Sequence, residues 1–353
     1  MAETIKFGLS APMPGADTQG LLEFSKKADK LGFSAIWYPD HTVFVAPGAL
    51  APEAWTVASA AAGITSDISL ATVSDPHKVH PATFAQRLAT VDHLSGGRAT
   101  VAMGVGESMN LDAYGIPWNK PFTRMREAVE VMQLLWKNDE NSPVNYNGQF
   151  FNLKDAFLQI RPFERDRIPV YFATHTPKGL ALTGEMGDGW LPIDLNPALY
   201  EKYLGEIHAS ADKAGRDRKE IDPALWVFTS LGADEDEAYK AIEPFKYVLI
   251  MQEQLAAAGY DVKIPDEYKG LNYFNIVPQD TDGRAKFREI GQFFPREAIM
   301  DFTITGSKDD CIKRIEAFVD KGVRNFVLFY RFSPDPEKAL ETYAKEIIPY
   351  FKG

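Results

Sequence analysis

The fold is decided by the segment Ala35-Ile36-Trp37-Tyr38-Pro39-Asp40-His41, an apolar run that predicts a strand and ends in two polar residues. A second segment, Thr100-Val101-Ala102-Met103-Gly104-Val105-Gly106-Glu107, also ends in a residue able to move protons. In a barrel of parallel strands, side chains at the carboxyl ends of different strands converge on one mouth, where active sites of that architecture lie. We therefore expect His41 and Glu107 to face one site.

Apolar, β-branched runs alternate with longer segments of helical period along the chain, which favours parallel strands joined by crossover helices. Eight strands are predicted, at 5–9, 35–38, 68–73, 100–104, 169–172, 189–193, 224–230 and 325–330. Helices are predicted at 21–31, 52–64, 81–94, 122–136, 177–186, 197–215, 308–321 and 336–351. This rhythm predicts an α/β fold, a (β/α)8 TIM barrel that forms one domain over residues 1–353.

Two stretches interrupt the rhythm. Residues 138–163 contain Asn147-Gly148 between aromatic runs, which predicts a hairpin. Residues 233–299 are rich in Met, Gln, Tyr and Phe and follow the seventh strand. Because long insertions after a barrel strand sit at the catalytic mouth, we expect this second stretch to cover a substrate.

The composition excludes several classes of protein. A net charge of −11 opposes binding to nucleic acid, which depends on Lys and Arg neutralising phosphates. The single cysteine, Cys311, excludes an internal disulfide and fits a reducing compartment. The sequence has neither the pattern of a secretory signal nor an apolar run long enough to span a membrane, so we expect a cytoplasmic protein.

His41 and Glu107 are the candidate catalytic residues. Histidine titrates near neutral pH and suits proton exchange with an alcohol or carbonyl oxygen. The alternative is that Asp40-His41 merely ends a strand, with Asp40 capping a turn. A Glu107 carboxyl could donate to a ring nitrogen beside glycines that let backbone approach a flat ring. Its alternative is a helix-start glutamate that satisfies backbone donors.

Two further strand ends are candidate ligand contacts. Thr72-Val73-Ser74-Asp75-Pro76 closes the third strand and suits a backbone platform beside a ligand, although turn chemistry would also explain it. Ala173-Thr174-His175-Thr176-Pro177-Lys178 precedes a helix and suits an anionic group such as phosphate. His77 and His80 lack a nearby acidic ligand set, so we expect no metal site and assign both residues to a solvated loop and helix start.

Together these segments resemble the bacterial luciferase-like flavin and deazaflavin oxidoreductases over nearly the whole chain. In chain order, the resemblance is carried by Asp40-His41, Thr72-Val73-Ser74-Asp75-Pro76, His80-Pro81-Ala82, Leu94-Ser95-Gly96-Gly97-Arg98, Gly104-Val105-Gly106-Glu107 with Asn110, and Gly187-Asp188-Gly189-Trp190. The first and fifth motifs are similar to the branch that uses coenzyme F420, a deazaflavin that transfers hydride but does not activate oxygen. Residues 114–121 are similar to phthiodiolone ketoreductase-like members.

The resemblance implies roles for individual residues. His41 would exchange a proton with the substrate oxygen, and Glu107 would contact the deazaflavin near its ring nitrogen. Cofactor contacts are also implied for Asp40, Thr72, Val73, Ser74, Asp75, Gly106 and Asn110 near the ring, and for Ala173, Thr174, His175, Thr176 and Lys178 near the phosphate. The same likeness implies a non-proline cis peptide at Thr72–Val73.

The sequence departs from the family pattern at two places. Sugar-phosphate members carry a tryptophan where this chain has Phe44, so Phe44 is a candidate substrate contact and a sugar phosphate is not the expected substrate. Many members have paired glycines where this chain has Thr174-His175-Thr176, although His175 could itself reach the phosphate.

The resemblance implies an F420-dependent oxidoreductase that moves hydride between the deazaflavin and a small carbonyl, alcohol or imine-like substrate, in a homodimer. Three alternatives remain open from the sequence. They are an FMN-dependent monooxygenase, a methylenetetrahydromethanopterin reductase, and a flavin-binding protein without turnover.

Overall fold

The computed structural model describes residues 4–13, 16–44, 50–272, 274–276 and 280–352. Its strands, in chain order, are β1 (Lys6–Ser10), β2 (Ala35–Pro39), β3 (Ser69–Ser74), β4 (Ala99–Met103), β5 (Val144–Asn147), β6 (Asn152–Ala156), β7 (Val170–Phe172), β8 (Gly189–Trp190), β9 (Asp222–Leu231), β10 (Ile304–Gly306) and β11 (Asn325–Phe329). Eight of them pair in parallel in the order β1-β2-β3-β4-β7-β8-β9-β11, and β11 pairs with β1 to close the ring. The fold is a (β/α)8 TIM barrel, as predicted.

The helices form an outer layer and the insertions. They are α1 (Thr18–Lys30), α2 (Ala54–Ala62), α3 (Pro81–Ser95), α4 (Ser108–Leu111), α5 (Pro121–Lys137), α6 (Pro177–Met186), α7 (Pro197–Lys213), α8 (Glu235–Ile242), α9 (Lys246–Leu249), α10 (Gln252–Ala257), α11 (Thr281–Glu289), α12 (Arg296–Phe302), α13 (Lys308–Asp320), α14 (Pro336–Thr342) and α15 (Ile348–Lys352). Short 3₁₀ helices occupy Asp112–Tyr114, Arg218–Glu220, Glu243–Phe245, Asp266–Tyr268 and Ile290–Phe293, and a π-helical turn spans Tyr343–Ile347.

Each of the eight predicted strands has a counterpart in the ring, but the bounds differ. The sixth is shorter than predicted, because Pro192 lacks an amide hydrogen and the chain turns soon after it. The helix predicted at 52–64 begins at Ala54, since the Glu53 side chain accepts the amide hydrogen of Thr56 and caps it there. β10, which the sequence did not predict, pairs with the carboxyl half of β9 above the point where β9 pairs with β8.

The inside of the barrel is filled by side chains, so the ring is a packed core and not a pore. Small residues from β2, β3 and β4 leave room for two large rings, Trp37 and Tyr171, whose centroids lie 5.5 Å apart edge to face. The Tyr171 hydroxyl donates to Asp222 over 2.7 Å. The contact between Trp37 and Tyr171 therefore fills the interior of the barrel. The mouth lies beyond this pair, at the carboxyl ends of the strands.

The first predicted interruption contains the antiparallel pair β5–β6, joined by the four residues 148–151. Helix α5 holds this connection through Glu127, whose carboxylate accepts the amide hydrogens of Gln149, Phe150 and Phe151. A Cβ at Gly148 would lie 2.4 Å from Glu127 Oε2, so the close approach requires glycine. The pair thus packs on the outer helical layer.

The second interruption, between β9 and β10, is helical in the residues that the structure describes and contains α8 to α12. The backbone carbonyl of Phe274 accepts the amide hydrogen of Ser108 over 2.9 Å, directly after Glu107. Phe245 stacks on Phe332 with ring centroids 4.2 Å apart. The insertion therefore touches the mouth on the side of β4 and the loop after β11.

None of the helices within the described ranges is both long enough and apolar enough to cross a lipid bilayer.

Arg98 joins three neighbouring elements below the mouth. Its guanidinium donates to the backbone carbonyls of Ala62, Thr65, Ile68 and Ser95 and to the Thr65 hydroxyl, over 2.7 to 3.2 Å. These groups lie just after α2, just before β3 and at the end of α3. Because buried carbonyls that lose their donor cost free energy, Arg98 stabilises the packing of two helices on the sheet.

We expect Arg98→Met to lower the free energy of unfolding by about 2 to 4 kcal/mol, because four carbonyls lose a charged donor. Urea unfolding followed by tryptophan fluorescence measures this difference. The matched control is Arg87→Met, since Arg87 makes a half-exposed ion pair with Glu53 at 3.6 Å and should change stability by less than about 0.5 kcal/mol. Equal effects of the two substitutions would contradict the assigned role of Arg98.

Candidate active site

Three neighbouring strands end at the same level and are joined by backbone hydrogen bonds beyond their last residues. The amide of Asp40 donates to Val73 O over 3.1 Å, and the amide of Gly104 donates to Ser74 O over 2.9 Å. The segments after β2 and β4 therefore lie on either side of the end of β3. This arrangement brings His41 and Glu107 to one place at the carboxyl-terminal mouth of the barrel.

The side chains of His41 and Glu107 are in contact. His41 Nδ1 lies 3.4 Å from Glu107 Oε2, and their side chains are 12% and 15% exposed. Asn110 sits between them, with Nδ2 2.9 Å from His41 Nδ1 and 3.1 Å from Glu107 Oε2. The two residues that the sequence singled out thus share one partly buried cluster, which also contains Asn110.

The orientation of the Asn110 amide follows from its backbone partners. Asn110 Oδ1 accepts the amide hydrogens of Thr42 and Val43 over 2.7 and 3.1 Å, and an amide hydrogen can meet only an oxygen there. The nitrogen Nδ2 must then face His41 and Glu107 as a donor. Neutral His41 consequently accepts at Nδ1 and carries its proton at Nε2.

Glu107 occupies the position before α4 but does not cap that helix, because its side chain makes no cap hydrogen bond. The alternative of a helix-start glutamate is therefore wrong for this residue. On the other side of His41, the ring of Phe44 stacks with centroids 4.5 Å apart and planes 21° apart. His41 is held between an aromatic ring and the Asn110–Glu107 pair.

Asp40 belongs to a second polar cluster behind the first. Lys78 Nζ lies 2.9 Å from Asp40 Oδ1, 2.5 Å from Asp40 O and 3.8 Å from Asp75 Oδ2. Burial opposes ionisation of Asp75, but the hydrogen bonds from His77 and the charge of Lys78 together lower its pKa. Lys78 thus ties the segment that carries His41 to the end of β3.

His77 does not lie in a solvated loop, and this prediction was wrong. Its side chain is fully buried and Nδ1 lies 3.2 Å from Asp75 Oδ1. His80 is exposed, as predicted, and its Nδ1 accepts the amide hydrogen of Ala82 at the start of α3. His77 is buried because its ring packs against Gly106, where a Cβ would lie 3.1 Å from His77 Nδ1.

The glycines of the second motif have different surroundings. Gly106 has φ of +80°, and a Cβ there would lie 3.0 Å from a Leu111 methyl and 3.1 Å from His77 Nδ1. A Cβ at Gly104 would lie 3.9 Å from Ser74 O, an ordinary van der Waals distance. Gly106 is therefore required by the turn that presents Glu107, whereas Gly104 leaves an open backbone surface beside the partly exposed Val73.

The hydroxyls of Thr72 and Ser74 face the protein interior. Both residues are buried, the two oxygens lie 3.0 Å apart, and Trp55 Nε1 donates to Ser74 Oγ over 3.2 Å. Trp55 is a core residue, as the sequence indicated. These contacts fix the end of β3, so any ligand contact from this strand is made by backbone and by Val73.

The predicted phosphate segment lies next to the β4 loop, because the amide of Ala173 donates to Met103 O over 3.0 Å. Thr174 is buried and its carbonyl accepts from Trp190, whereas Thr176 caps α6 by accepting from Gly179. Lys178 is exposed on the first turn of α6. Ala173, Thr176 and Lys178 thus remain accessible to an anion.

His175 points toward the next loop. Its Nε2 lies 2.5 Å from the carbonyl oxygen and 3.3 Å from the amide nitrogen of Ile193. Burial lowers the pKa of His175 to about 4. The imidazole is therefore neutral at physiological pH and ties the loop after β7 to the loop after β8.

Three residues at the mouth were not among the candidate site residues predicted from the sequence. Lys78 follows β3, Asp194 follows β8, and Trp118 Nε1 donates to Val105 O over 2.8 Å. The rule that found His41 and Glu107, a polar residue just after a predicted strand, applies equally to Lys78 and Asp194. Among the described residues, no group of three or more His, Cys, Asp or Glu side chains is arranged to hold a metal ion.

Comparison with known proteins gives relatives along the full chain. The family model for luciferase-like monooxygenases matches residues 5–325. The 5,10-methylenetetrahydromethanopterin reductase of Methanopyrus kandleri is 31% identical over 100% of both chains, and the F420-dependent glucose-6-phosphate dehydrogenase of Microbacterium testaceum is 27% identical over 99% of this chain and 98% of the relative. A solved F420-dependent secondary alcohol dehydrogenase in complex with an F420-acetone adduct superposes with a TM-score of 0.82, at 26% identity over 99% of both chains.

We expect the Nε2–H tautomer of neutral His41 to predominate, and Asn110→Ala to abolish this preference because the donor to Nδ1 is lost. Ring ¹⁵N chemical shifts of labelled protein, recorded in alkaline buffer where the imidazole is neutral, distinguish the two tautomers. The control is Asn119→Ala, because the Asn119 side chain contacts Arg124 at the surface. A predominant Nδ1–H tautomer in the wild-type protein would contradict the assigned orientation of Asn110.

His175 makes the stability depend on pH. The unfolded chain binds a proton at this residue near pH 6.5 and the folded chain only near pH 4, so stability falls as the pH falls through this window. Between about pH 7 and pH 5 we expect a loss of about 2 kcal/mol that His175→Gln does not show. Urea unfolding of both proteins at the two pH values measures it, and identical pH dependence would refute the assignment.

Proposed function

This chain belongs to the luciferase-like monooxygenase family, and we propose that within this family it is a coenzyme F420-dependent oxidoreductase. Relatives named for this coenzyme cover nearly the whole chain, one in sequence and one in solved structure. The observation that carries the proposal is the cluster of His41, Asn110 and Glu107 at the mouth of the barrel. It places a proton-exchanging group and a carboxyl group on one wall, where the reduction of a carbonyl or the oxidation of an alcohol needs them.

The residues at the mouth fit a flat tricyclic cofactor. Val73 and Gly104 are partly exposed, and among the described residues, chain neighbours of Gly104 aside, no side-chain atom lies within 4 Å of a Cβ built at Gly104. These residues, together with Asp40 and Gly106, would hold the ring, and Glu107 would contact it. The exposed Thr176 and Lys178, together with Ala173, would hold the phosphate at the start of α6.

Bound F420 would supply or accept the hydride. The remaining chemistry falls to the protein. In the direction of reduction, the carbonyl carbon gains the hydride and its oxygen gains a proton, which His41 delivers at Nε2. Reduction therefore starts from the imidazolium, whose Nδ1–H then faces Glu107 Oε2 at 3.4 Å. Proton transfer from Nε2 leaves a neutral ring with its proton at Nδ1, and oxidation starts from that tautomer, in which Nε2 removes the hydroxyl proton. The Nε2–H tautomer that Asn110 favours is the form of the neutral ring outside the proton-transfer step.

Asn110 and Glu107 allow His41 to work in both protonation states. Asn110 donates to Nδ1 in the Nε2–H tautomer, and the Glu107 carboxylate accepts from Nδ1 once that nitrogen is protonated, both in the imidazolium and in the neutral ring that remains after Nε2 has given up its proton. Phe44 limits the motion of the ring by stacking on it. Because Phe44 borders His41, it is also the residue that we expect to contact the substrate.

The helical segment between β9 and β10 supports a small-molecule substrate held under a cover. Its Phe274 carbonyl binds the Ser108 amide next to Glu107, so this segment reaches the catalytic wall. Exclusion of water would strengthen the interaction of His41 with the substrate oxygen.

Further proposals accompany this assignment. We propose that the enzyme works in the cytoplasm as a homodimer and that the whole chain, residues 1–353, is one catalytic domain with insertions at 138–163 and 233–299. The buried single cysteine, Cys311, supports a reducing compartment. The non-proline cis peptide at Thr72–Val73 stays a prediction.

Absorbance titration with F420, and with FMN in parallel, tests the cofactor. We expect tight binding of F420 and turnover with one or more compounds from a panel of alcohols, aldehydes, ketones and reduced pterins. A protein that binds FMN alone and consumes oxygen would be a monooxygenase, and tight F420 binding without turnover of any compound would indicate a binding protein. Either result would overturn the proposed activity.

We expect His41→Ala to lower kcat on the order of 10²- to 10⁴-fold while F420 affinity changes by less than about threefold, because the imidazole acts on the substrate oxygen. Steady-state kinetics and the F420 titration measure the two effects. His208→Ala is the matched control, since His208 lies in the middle of the outer helix α7 and should keep the wild-type rate. Unchanged turnover in His41→Ala would exclude its role in proton transfer.

A further inference from the structure

Asp194 lies at the mouth of the barrel. The proposed hydride and proton transfer does not use its side chain. It follows β8, where the backbone ladder continues through the amide of Leu191 to Phe172 O and through Pro192 O to the amide of Trp226. Asp194 lies two residues beyond this ladder. It therefore lies at the carboxyl-terminal end of the barrel, as does His41, which follows β2.

The ring order places the two residues on opposite walls. Eight strands close the barrel in the order β1-β2-β3-β4-β7-β8-β9-β11, so β2 and β8 are four positions apart in either direction. A ligand that spans the mouth from His41 would reach the wall of Asp194.

The Asp194 side chain has no partner within the part of the chain that the structure describes. The residue is 8% exposed, and its Oδ1 is buried without a hydrogen-bond donor among the described residues. Burial raises the pKa of this carboxyl well above its usual range. An isolated buried carboxyl is costly in a folded protein, and such groups are normally paired.

The backbone conformation at position 194 does not by itself require aspartate. Asp194 has φ of +57°, a left-handed conformation that glycine or asparagine would also adopt. Neither of those residues would bury a carboxyl group. The turn therefore accounts for a small polar residue but not for the acid.

The neighbouring residues fix this loop from two sides. His175 contacts the backbone of Ile193, and Asn196 Nδ2 donates to Asp301 Oδ2 over 2.6 Å. Tyr260, in the helical segment between β9 and β10, donates to the same Asp301 oxygen over 3.2 Å. The proposed substrate cover thus closes on the loop of Asp194, which favours a contact with substrate over one with the cofactor.

We propose that Asp194 is a specificity-determining residue that hydrogen-bonds a second oxygen of the substrate, opposite the oxygen that reacts at His41. This inference rests on the proposed function, and it narrows the substrate to a bifunctional molecule such as a diol or a hydroxyketone. In its neutral form the carboxyl group donates its O–H to a hydroxyl or carbonyl oxygen and accepts a hydroxyl hydrogen at the other oxygen. A monofunctional alcohol would leave the buried group unpaired.

The kinetic test compares linear alcohols with the matching terminal diols, from propane to octane, as substrates of the F420-loaded enzyme. We expect one diol or more to exceed its matching alcohol in kcat/KM by about tenfold in the wild-type protein. Asp194→Gly, which suits the backbone conformation, should abolish the preference while it leaves the alcohol rate and F420 affinity within about threefold. Asp194→Asn, which keeps a donor and an acceptor, should retain most of the preference.

A preference for diols that survives in Asp194→Gly, or an absent preference in the wild-type protein, would overturn the proposal. So would a loss of F420 affinity in Asp194→Gly at unchanged substrate preference, because the group would then bind the cofactor. Failure of every alcohol, diol and carbonyl compound to react would refute the proposed function itself.

Infrared spectroscopy measures the protonation state of Asp194 and does not require turnover. The difference spectrum of wild-type protein minus Asp194→Asn, in neutral buffer, should contain the carbonyl band of a protonated carboxylic acid, and the band should move when the diols are added. A carboxylate band in its place, or a band that no diol shifts, would contradict the proposal.

Discussion

The site depends on one side-chain amide. Asn110 accepts two backbone hydrogen bonds from the segment after β2 and donates to His41 and Glu107, so it joins the ends of two strands that are not neighbours in the ring. All its hydrogen-bonding capacity is used in a partly buried place, where an unpaired polar group is costly. Its orientation is therefore fixed, and it determines which nitrogen of His41 carries the proton.

A second set of contacts supports this amide from behind. Lys78 binds Asp40 and lies near Asp75, while Asp75 holds His77 under the turn at Gly106. The groups nearest the open mouth thus stand on a layer in which one lysine lies between two carboxylates. Such supporting contacts keep catalytic groups in place.

Residues that stabilise the barrel and residues proposed to act on the substrate lie at different heights along the barrel axis. Arg98 and the aromatic pair of Trp37 and Tyr171 hold the lower part, whereas the proton-exchanging groups, the covering helices and Asp194 lie at the carboxyl ends of the strands. The covering segment contacts Ser108, next to Glu107, through Phe274 O, and it contacts Asn196, two residues after Asp194, through Asp301. It can therefore bring residues from both sides of the ring to bear on one substrate.

Strand and helix periods, and the position of a polar residue just after a strand, are local features, and they were sufficient to predict the barrel, its eight strands and the meeting of His41 with Glu107 at one mouth. Four other properties became visible only in the folded chain: His77 is buried, Glu107 does not cap α4, Ile304–Gly306 joins the sheet, and Asp194 is buried without a partner among the described residues. These properties depend on which distant groups pack against each residue, and local sequence does not encode hydrogen-bond partners or burial at a loop.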